Sequence, residues 1–222
     1  MPPGEDRVER VERILDAAAE LLLRVGYRRT TVEDVADRAG VGKGTLYLHW
    51  KTREALFLAV LLRESLAAMD DLLAGLAADA RLARPSMLLE FQYRNVLARP
   101  LLRATRTGDA ELLGKLLPKI GENLDPRHDG NFEAYLDLLA EHGMLRTGRP
   151  SSEVATALSA VLHGFLYASP SPAPELLADT VAHAFEPSAP PTEDALRVVA
   201  PRALALFTEA AEHDRARLRR AY

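Results

Sequence analysis

Cysteine is absent from the 222 residues, and with it go disulfide frameworks, thiolate metal sites and thiol nucleophiles. No run stays free of charge long enough to cross a bilayer. The amino-terminal stretch MPPGEDRVERVER is charged from residue 5 onward and lacks the continuous apolar core of a signal peptide, so a cytoplasmic protein with no membrane partner is expected. An excess of positive charge is missing too: the net charge is -4, which at first argues against a polyanionic partner. The sum hides a division at residue 63, because residues 1–63 hold 11 Lys and Arg against 10 Asp and Glu, whereas the remainder holds 17 against 22. The negative excess therefore lies in the second part, and the first part permits a nucleic-acid contact. Catalytic signatures are lacking as well. The six histidines, His49, His128, His142, His163, His183 and His213, include no pair at i, i+4 and no HExxH arrangement, and no G-x-S-x-G elbow occurs. No enzyme, metal site or cofactor is expected.

What is present is a helical pattern from end to end. A hydrophobic content of 48% can fill a real core, and the apolar residues recur at helical spacing with no convincing strand and no internal repeat. The class is all-α. From Asp6 to Val25 the residues Val8, Val11, Leu15, Ala18, Leu22 and Val25 form one stripe, and Gly26 supplies the stop. Thr31 then reads as the N-cap of a short helix whose buried face is Val32, Val35, Ala36 and Ala39, with Asp34 placed to complete a capping box and Gly40 to end it. A third helix covers roughly Lys43 to His49, and Thr52 caps a long fourth from Arg53 to about Ala78. Further helices are expected at about 86–98, 109–117, 128–145, 152–168, 175–185 and 193–219, with Pro201 kinking or dividing the last.

The stretch GVGKGT, residues 40–45, invites comparison with a phosphate-cradling loop, which follows a strand and places Gly, Lys and a hydroxyl residue in fixed order. Those conditions fail. Position 37 is Asp, Gly44 separates Lys43 from Thr45, and the preceding segment is an amphipathic helix. A short capped helix, the tight turn AGVG and a second short helix KGTLYLHW are instead the parts of a helix-turn-helix, with Gly40 at the φ > 0 position and Val41 pinning the two helices.

On these residues the run TTVEDVADRAGVGKGTLYLHWKTREALFLAVL resembles the DNA-binding domain of the TetR family of transcriptional repressors, over about residues 10–63. The resemblance implies a DNA-binding domain at 1–52, with the motif at about 31–50, and a helical effector-binding and dimerisation domain at 53–222. It implies a second motif helix lying in the major groove, with Tyr47, His49 and Lys51 on phosphates, Thr31 bonding a phosphate from its helix start, and Lys43, Gly44 and Thr45 facing base edges. Gly42 stands where relatives often carry Ser, which weakens the cap of the reading helix; Trp50 and Arg53 replace the more usual Phe and Lys. A helix of about two turns reads only a few base pairs, so useful specificity requires a homodimer on a near-palindromic operator.

The carboxyl-terminal part is expected to dimerise through the helices at about 152–168 and 193–213, which are apolar around much of their circumference. For a small-molecule effector pocket the candidates are Phe91, Arg94, Asn95, Tyr135, His163 and Tyr167, together with Tyr93 and Met144. The functional expectation is a ligand-responsive repressor that a small molecule releases from its operator. The alternatives are a helical small-molecule-binding protein or enzyme that uses the motif only for packing, and an activator with the same reading head.

Overall fold

The computed structural model describes residues 5–122, 126–146 and 148–222, without the side chains of residues 5, 6 and 126–129, so that His128 lies outside the described side chains. Among the described residues twelve α-helices follow one another: α1 (Glu5–Arg29), α2 (Val32–Ala39), α3 (Lys43–His49), α4 (Arg53–Ala78), α5 (Pro85–Ala98), α6 (Pro100–Thr107), α7 (Ala110–Leu113), α8 (Leu116–Glu122), α9 (Pro126–Glu141), α10 (Ser151–Tyr167), α11 (Pro174–Phe185) and α12 (Glu193–Arg220). A 3-10 turn, Ala80–Ala83, joins α4 to α5. The described residues contain no strand, as the all-α expectation requires. None of the described helices is long and apolar enough to cross a membrane.

The chain divides into two compact units, one of Met1–Leu66, Arg99–Leu124 and Asp214–Tyr222, the other of Ala67–Ala98 and Asp125–His213. In the first unit the middle of the expected α1 stripe is buried, Val11, Leu15, Ala18 and Leu22, whereas Val8 is 61% exposed and Val25 half-buried. Val11, Ile14, Leu15, Ala18 and Leu22 pack with Val35 of α2, Leu46 of α3, and Leu56, Phe57 and Val60 of α4. Leu101, Leu113, Leu116 and Leu218 close the same core from α6, α7, α8 and the end of α12. Each fully buried side chain of this size contributes about 1.5–3 kcal/mol relative to exposure.

Gly26, at φ 76° and ψ 163°, ends the long helical run of α1 as expected, and a separate short turn continues across the kink to Arg29. Only glycine enters that region without strain. A Cβ at this position would also stand 3.3 Å from the Glu111 carbonyl oxygen and 3.5 Å from that of Leu112. The released chain is tied back by the Thr30 hydroxyl, which donates to the Gly26 carbonyl at 2.9 Å.

Two local expectations are corrected by the structure. The segment read as one helix over 109–117 is two, because Asp109 caps α7 and Gly114, at φ 50°, ends it before α8 begins. Gly108, at φ 63°, likewise ends the preceding α6, a helix the apolar spacing did not announce. Pro201 lies inside α12 without dividing it.

In the second unit α11 packs on α5, and α10 packs on α9 and α11. Its buried carboxylate, Glu186, accepts from the backbone N–H of Ser86 at 2.7 Å in the first turn of α5 and from Arg84 at 2.5 Å. One acid thus satisfies an orphan donor of a helix start and neutralises a partly buried guanidinium.

Candidate nucleic-acid interface

The site is built from two short helices whose ends are set by local chemistry. Thr31 caps α2: its Oγ1 accepts from the Asp34 N–H at 3.1 Å, while the Thr31 N–H donates to the Asp34 carboxylate at 2.8 Å. Both halves of the capping box are present. The Thr31 hydroxyl also donates to Asp34 at 2.7 Å, so in the free chain both donors of Thr31 serve the cap. These bonds hold the Asp34 carboxyl below its ordinary range, with the Thr31 side chain the main cause. At the other end Gly40, at φ 66°, returns its N–H to Ala36 and Asp37, and partly buried Val41 packs against the core.

Helix α3 starts at Gly42, which offers no side-chain cap, and its orientation is fixed from within. Leu46 is buried, and so is Trp50 directly after the helix, at 2% exposure and edge-on to Tyr222 with ring centroids 6.0 Å apart. With 100° between successive residues, burying Leu46 directs Gly44 and Leu48 straight outward. Lys43 and Tyr47 then fall on one flank and Thr45 and His49 on the other. Exposure follows that phase: Lys43, Gly44, Tyr47 and Leu48 are exposed, Thr45 and His49 half-buried.

The electrostatics of the outward face are mixed. Lys43 forms an ion pair with Glu33 of α2, which raises the lysine and lowers the glutamate from their ordinary values, and its ammonium lies 5.8 Å from the Tyr47 ring centroid. Lys51, one residue past Trp50, is exposed and has no ion-pair partner among the described residues. Burial, and then the positive charges of Arg7 and Arg10, push the His49 imidazole below its ordinary value. Neither His49 Nδ1 nor Trp50 Nε1 finds a hydrogen-bond partner among the described residues.

A cluster that the sequence pattern did not single out steers the motif from behind. The Arg53 guanidinium sits 4.0 Å from the Tyr27 ring centroid and donates to the Thr30 carbonyl at 2.9 Å, one residue before the cap. Tyr27 is buried, donates its hydroxyl to Glu54 at 2.9 Å, and meets Phe57 edge-on with centroids 5.4 Å apart. The start of α4 is thereby clamped to the turn that delivers Thr31. Its signal in the sequence is an aromatic residue after a glycine and a basic–acidic pair opening a helix, 26 residues later.

The structure brings Thr31, Gly42, Lys43, Gly44, Thr45, Tyr47, His49 and Lys51 onto α2, α3 and their immediate flanks. The residues considered for an effector pocket lie on α5, α9 and α10, with Met144 just after α9. Phe91 is half-buried beside Gly75, Arg94 pairs with Glu90 at 2.7 Å and also with Glu175, and Asn95 donates to the Ala68 carbonyl at 2.9 Å. Tyr135 is buried and donates to the Ala83 carbonyl at 2.9 Å, its phenol pushed well up by burial. Tyr93 donates to the Pro172 carbonyl at 3.2 Å, and Met144 is buried. His163 is exposed and Tyr167 is 64% exposed. An open groove of about 500 Å³ in the second unit is lined instead by Asp79, Arg81, Arg84, Pro191, Leu196 and Arg197, among others.

Comparison with known proteins agrees with this geometry. The profile of bacterial regulatory proteins, tetR family, matches residues 14–60. The HTH-type transcriptional regulator Mb3439c of Mycobacterium bovis is 31% identical over 142 residues, covering 61% of this chain and 69% of its own length. The HTH-type transcriptional repressor KstR2 of Rhodococcus jostii is 41% identical over 58 residues, 25% of this chain and 28% of its own. For two further curated relatives the chain spans only 18% and 29% of their length. Among solved structures, a protein from Saccharomonospora viridis described as a transcriptional regulator in complex with choline aligns with a TM-score of 0.60 at 23% identity, over 81% of this chain and 99% of that one.

Proposed function

The chain belongs to the TetR family of bacterial regulatory proteins, and from that premise we propose that it is a DNA-binding transcriptional repressor acting in the cytoplasm. It reads a near-palindromic operator as a homodimer and leaves it when a small molecule occupies the carboxyl-terminal helices. The observation that carries the reading is the phase of α3: Leu46 and Trp50 are buried on one side, and Lys43, Gly44, Tyr47 and Leu48 are turned out on the other. A helix whose outer face joins a lysine, a tyrosine and a bare glycine presents donors at close range to a groove. Tyr47 and Lys51 flank it as phosphate contacts, joined by His49 and Thr31 from the helix ends. Lys43, Gly44 and Thr45 meet base edges.

Seven residues span about 10 Å, enough for a few base pairs, so two copies supply the rest of the specificity. The faces proposed to meet at the twofold axis are on α10 and α12. On α10 Val161, Leu162 and Phe165 are only half-buried and Tyr167 is exposed; on α12 Val198 is exposed. Helix α4 runs continuously from the first unit into the second, which makes it the element through which effector occupancy alters the separation of the two reading heads. The reading functions are assigned to 1–52, which lie in a compact unit that also takes in 53–66, 99–124 and 214–222, and the effector and dimerisation functions to 53–222. The S. viridis protein's choline supports a small-molecule effector in general, and the KstR2 name supports repression.

The test is selection of bound sequences from random duplexes by the full-length protein. Two inverted half-sites with centres about 34–36 Å apart, or a multiple of that, are expected. A protein that enriches no sequence, or enriches a single unpaired half-site, would falsify the reading.

A further inference from the structure

Leu48 leaves 84% of its surface to solvent, more than any other large apolar side chain among the described residues. Its place makes that exposure informative. On α3 it lies at the middle of the outward face, opposite buried Leu46, and it shares that meridian only with Gly44 one turn earlier. Gly44 has open space where a Cβ would stand, so nothing on this meridian keeps the helix away from a surface. The two flanks carry the polar groups, Lys43 and Tyr47 on one, Thr45 and His49 on the other.

We propose that Leu48 is a specificity-determining residue that reads the 5-methyl group of one thymine in each half-site, an inference that rests on α3 being the groove helix. Leucine has neither donor nor acceptor. Against the major-groove edge of adenine, guanine or cytosine it strips water from polar atoms and returns nothing, whereas thymine offers an apolar methyl. A duplex is also the occupant that the surroundings favour, since exposed Leu48 shares the outer side of α3 with exposed Lys43 and Tyr47 and is followed by exposed Lys51, cationic and hydroxyl groups suited to a phosphate-lined groove. Contact with a deoxyribose would bury the same side chain, but it would not depend on the base, and the experiment separates the two.

The full-length protein is titrated on its selected operator at one fixed salt concentration, with each thymine replaced in turn by deoxyuridine. Wild type, Leu48→Ala and Leu48→Met are compared. One symmetry-related pair of thymines is expected to matter. Removing one buried methyl weakens binding about fourfold, and removing both about fifteenfold. Leu48→Met retains most of that sensitivity, whereas Leu48→Ala loses it, with a residual change of no more than about twofold. The proposal is overturned if every replacement affects wild type and Leu48→Ala equally, as a sugar contact predicts, or if no thymine methyl affects wild-type binding. A selected operator with a flat deoxyuridine scan removes only the role of Leu48. Failure to select any operator removes the regulator reading as well.

Discussion

Replacing Lys51 with alanine isolates one phosphate contact from the rest of the interface. Lys51 follows the reading helix, is exposed, and has no ion-pair partner among the described residues, so the proposed contact with a phosphate breaks no existing bond. Lys43 differs because Glu33 already holds it. In a homodimer Lys51→Ala removes two phosphate contacts. Each contributes about 0.9 to the slope of log affinity against log salt, so the variant's slope is shallower by about 1.8. Over a fourfold rise in salt, wild type then loses about 12-fold more affinity than the variant does. Fluorescence anisotropy on the selected operator at four or five salt concentrations measures both slopes, and a second selection with the variant reports the preferred sequence. The sequence should be unchanged, because a phosphate contact carries no base information. An unaltered slope accompanied by weaker binding, or a change in preferred bases, refutes the placement of Lys51 on the backbone.

Other perturbations test the parts around it. Glu33→Gln frees Lys43 and removes a negative charge beside the groove; operator affinity should rise a few-fold in dilute buffer, with the gain shrinking as salt is added. Gly26→Ala forces a Cβ into a left-handed position 3.3 Å from the Glu111 carbonyl and should destabilise the protein by about 1–3 kcal/mol, read as a lower urea midpoint. His49, its neutral form favoured in the fold by burial and then by Arg7 and Arg10, titrates below its ordinary value of 6.5. Its contribution to stability is present above that pH and is lost as pH falls toward the folded-state value, because the unfolded chain takes up its proton first. His49→Gln should flatten thermal stability against pH in that window, and an unchanged slope would place the titrating group elsewhere.

The features legible in the sequence were those whose causes lie within a few residues. A cap needs Thr31 and Asp34 three apart, and the capping box, the Gly40 terminus and the buried face of α2 all follow from spacing alone. What distant segments decide was hidden. The backbone of Gly26 is explained by the carbonyls of Glu111 and Leu112, and the clamp of Tyr27 by Arg53 and Glu54 joins the ends of helices that the pattern treats separately. Leu48 is hidden for another reason. Reading for polar contacts selects Lys43, Thr45 and Tyr47, while the phase set by Leu46 shows that an apolar residue occupies the centre of the face. The carboxyl-terminal unit was less legible still, since helical spacing identifies the buried side of a helix and not what is packed against it. Tyr135, for instance, spends its hydroxyl on the Ala83 carbonyl, 52 residues away.

Two polar groups of the reading head are already occupied before any duplex arrives. Thr31 gives both donors to Asp34, and Lys43 is paired with Glu33. For these two residues docking on DNA is an exchange of partners, and exchange discriminates more sharply than simple addition. A phosphate backbone of arbitrary sequence must draw Lys43 away from a carboxylate that itself repels the phosphates, so non-specific complexes keep little of the gain. An operator that offers a base-edge acceptor to Lys43 and a methyl to Leu48 recovers the cost of the broken pair and adds a contact no other sequence supplies. The near-neutral charge of residues 1–63, 11 cations against 10 anions, works in the same direction. A reading head without a broad positive field gains little by lingering on bulk DNA, and its selectivity rests on the few groups that α3 turns outward.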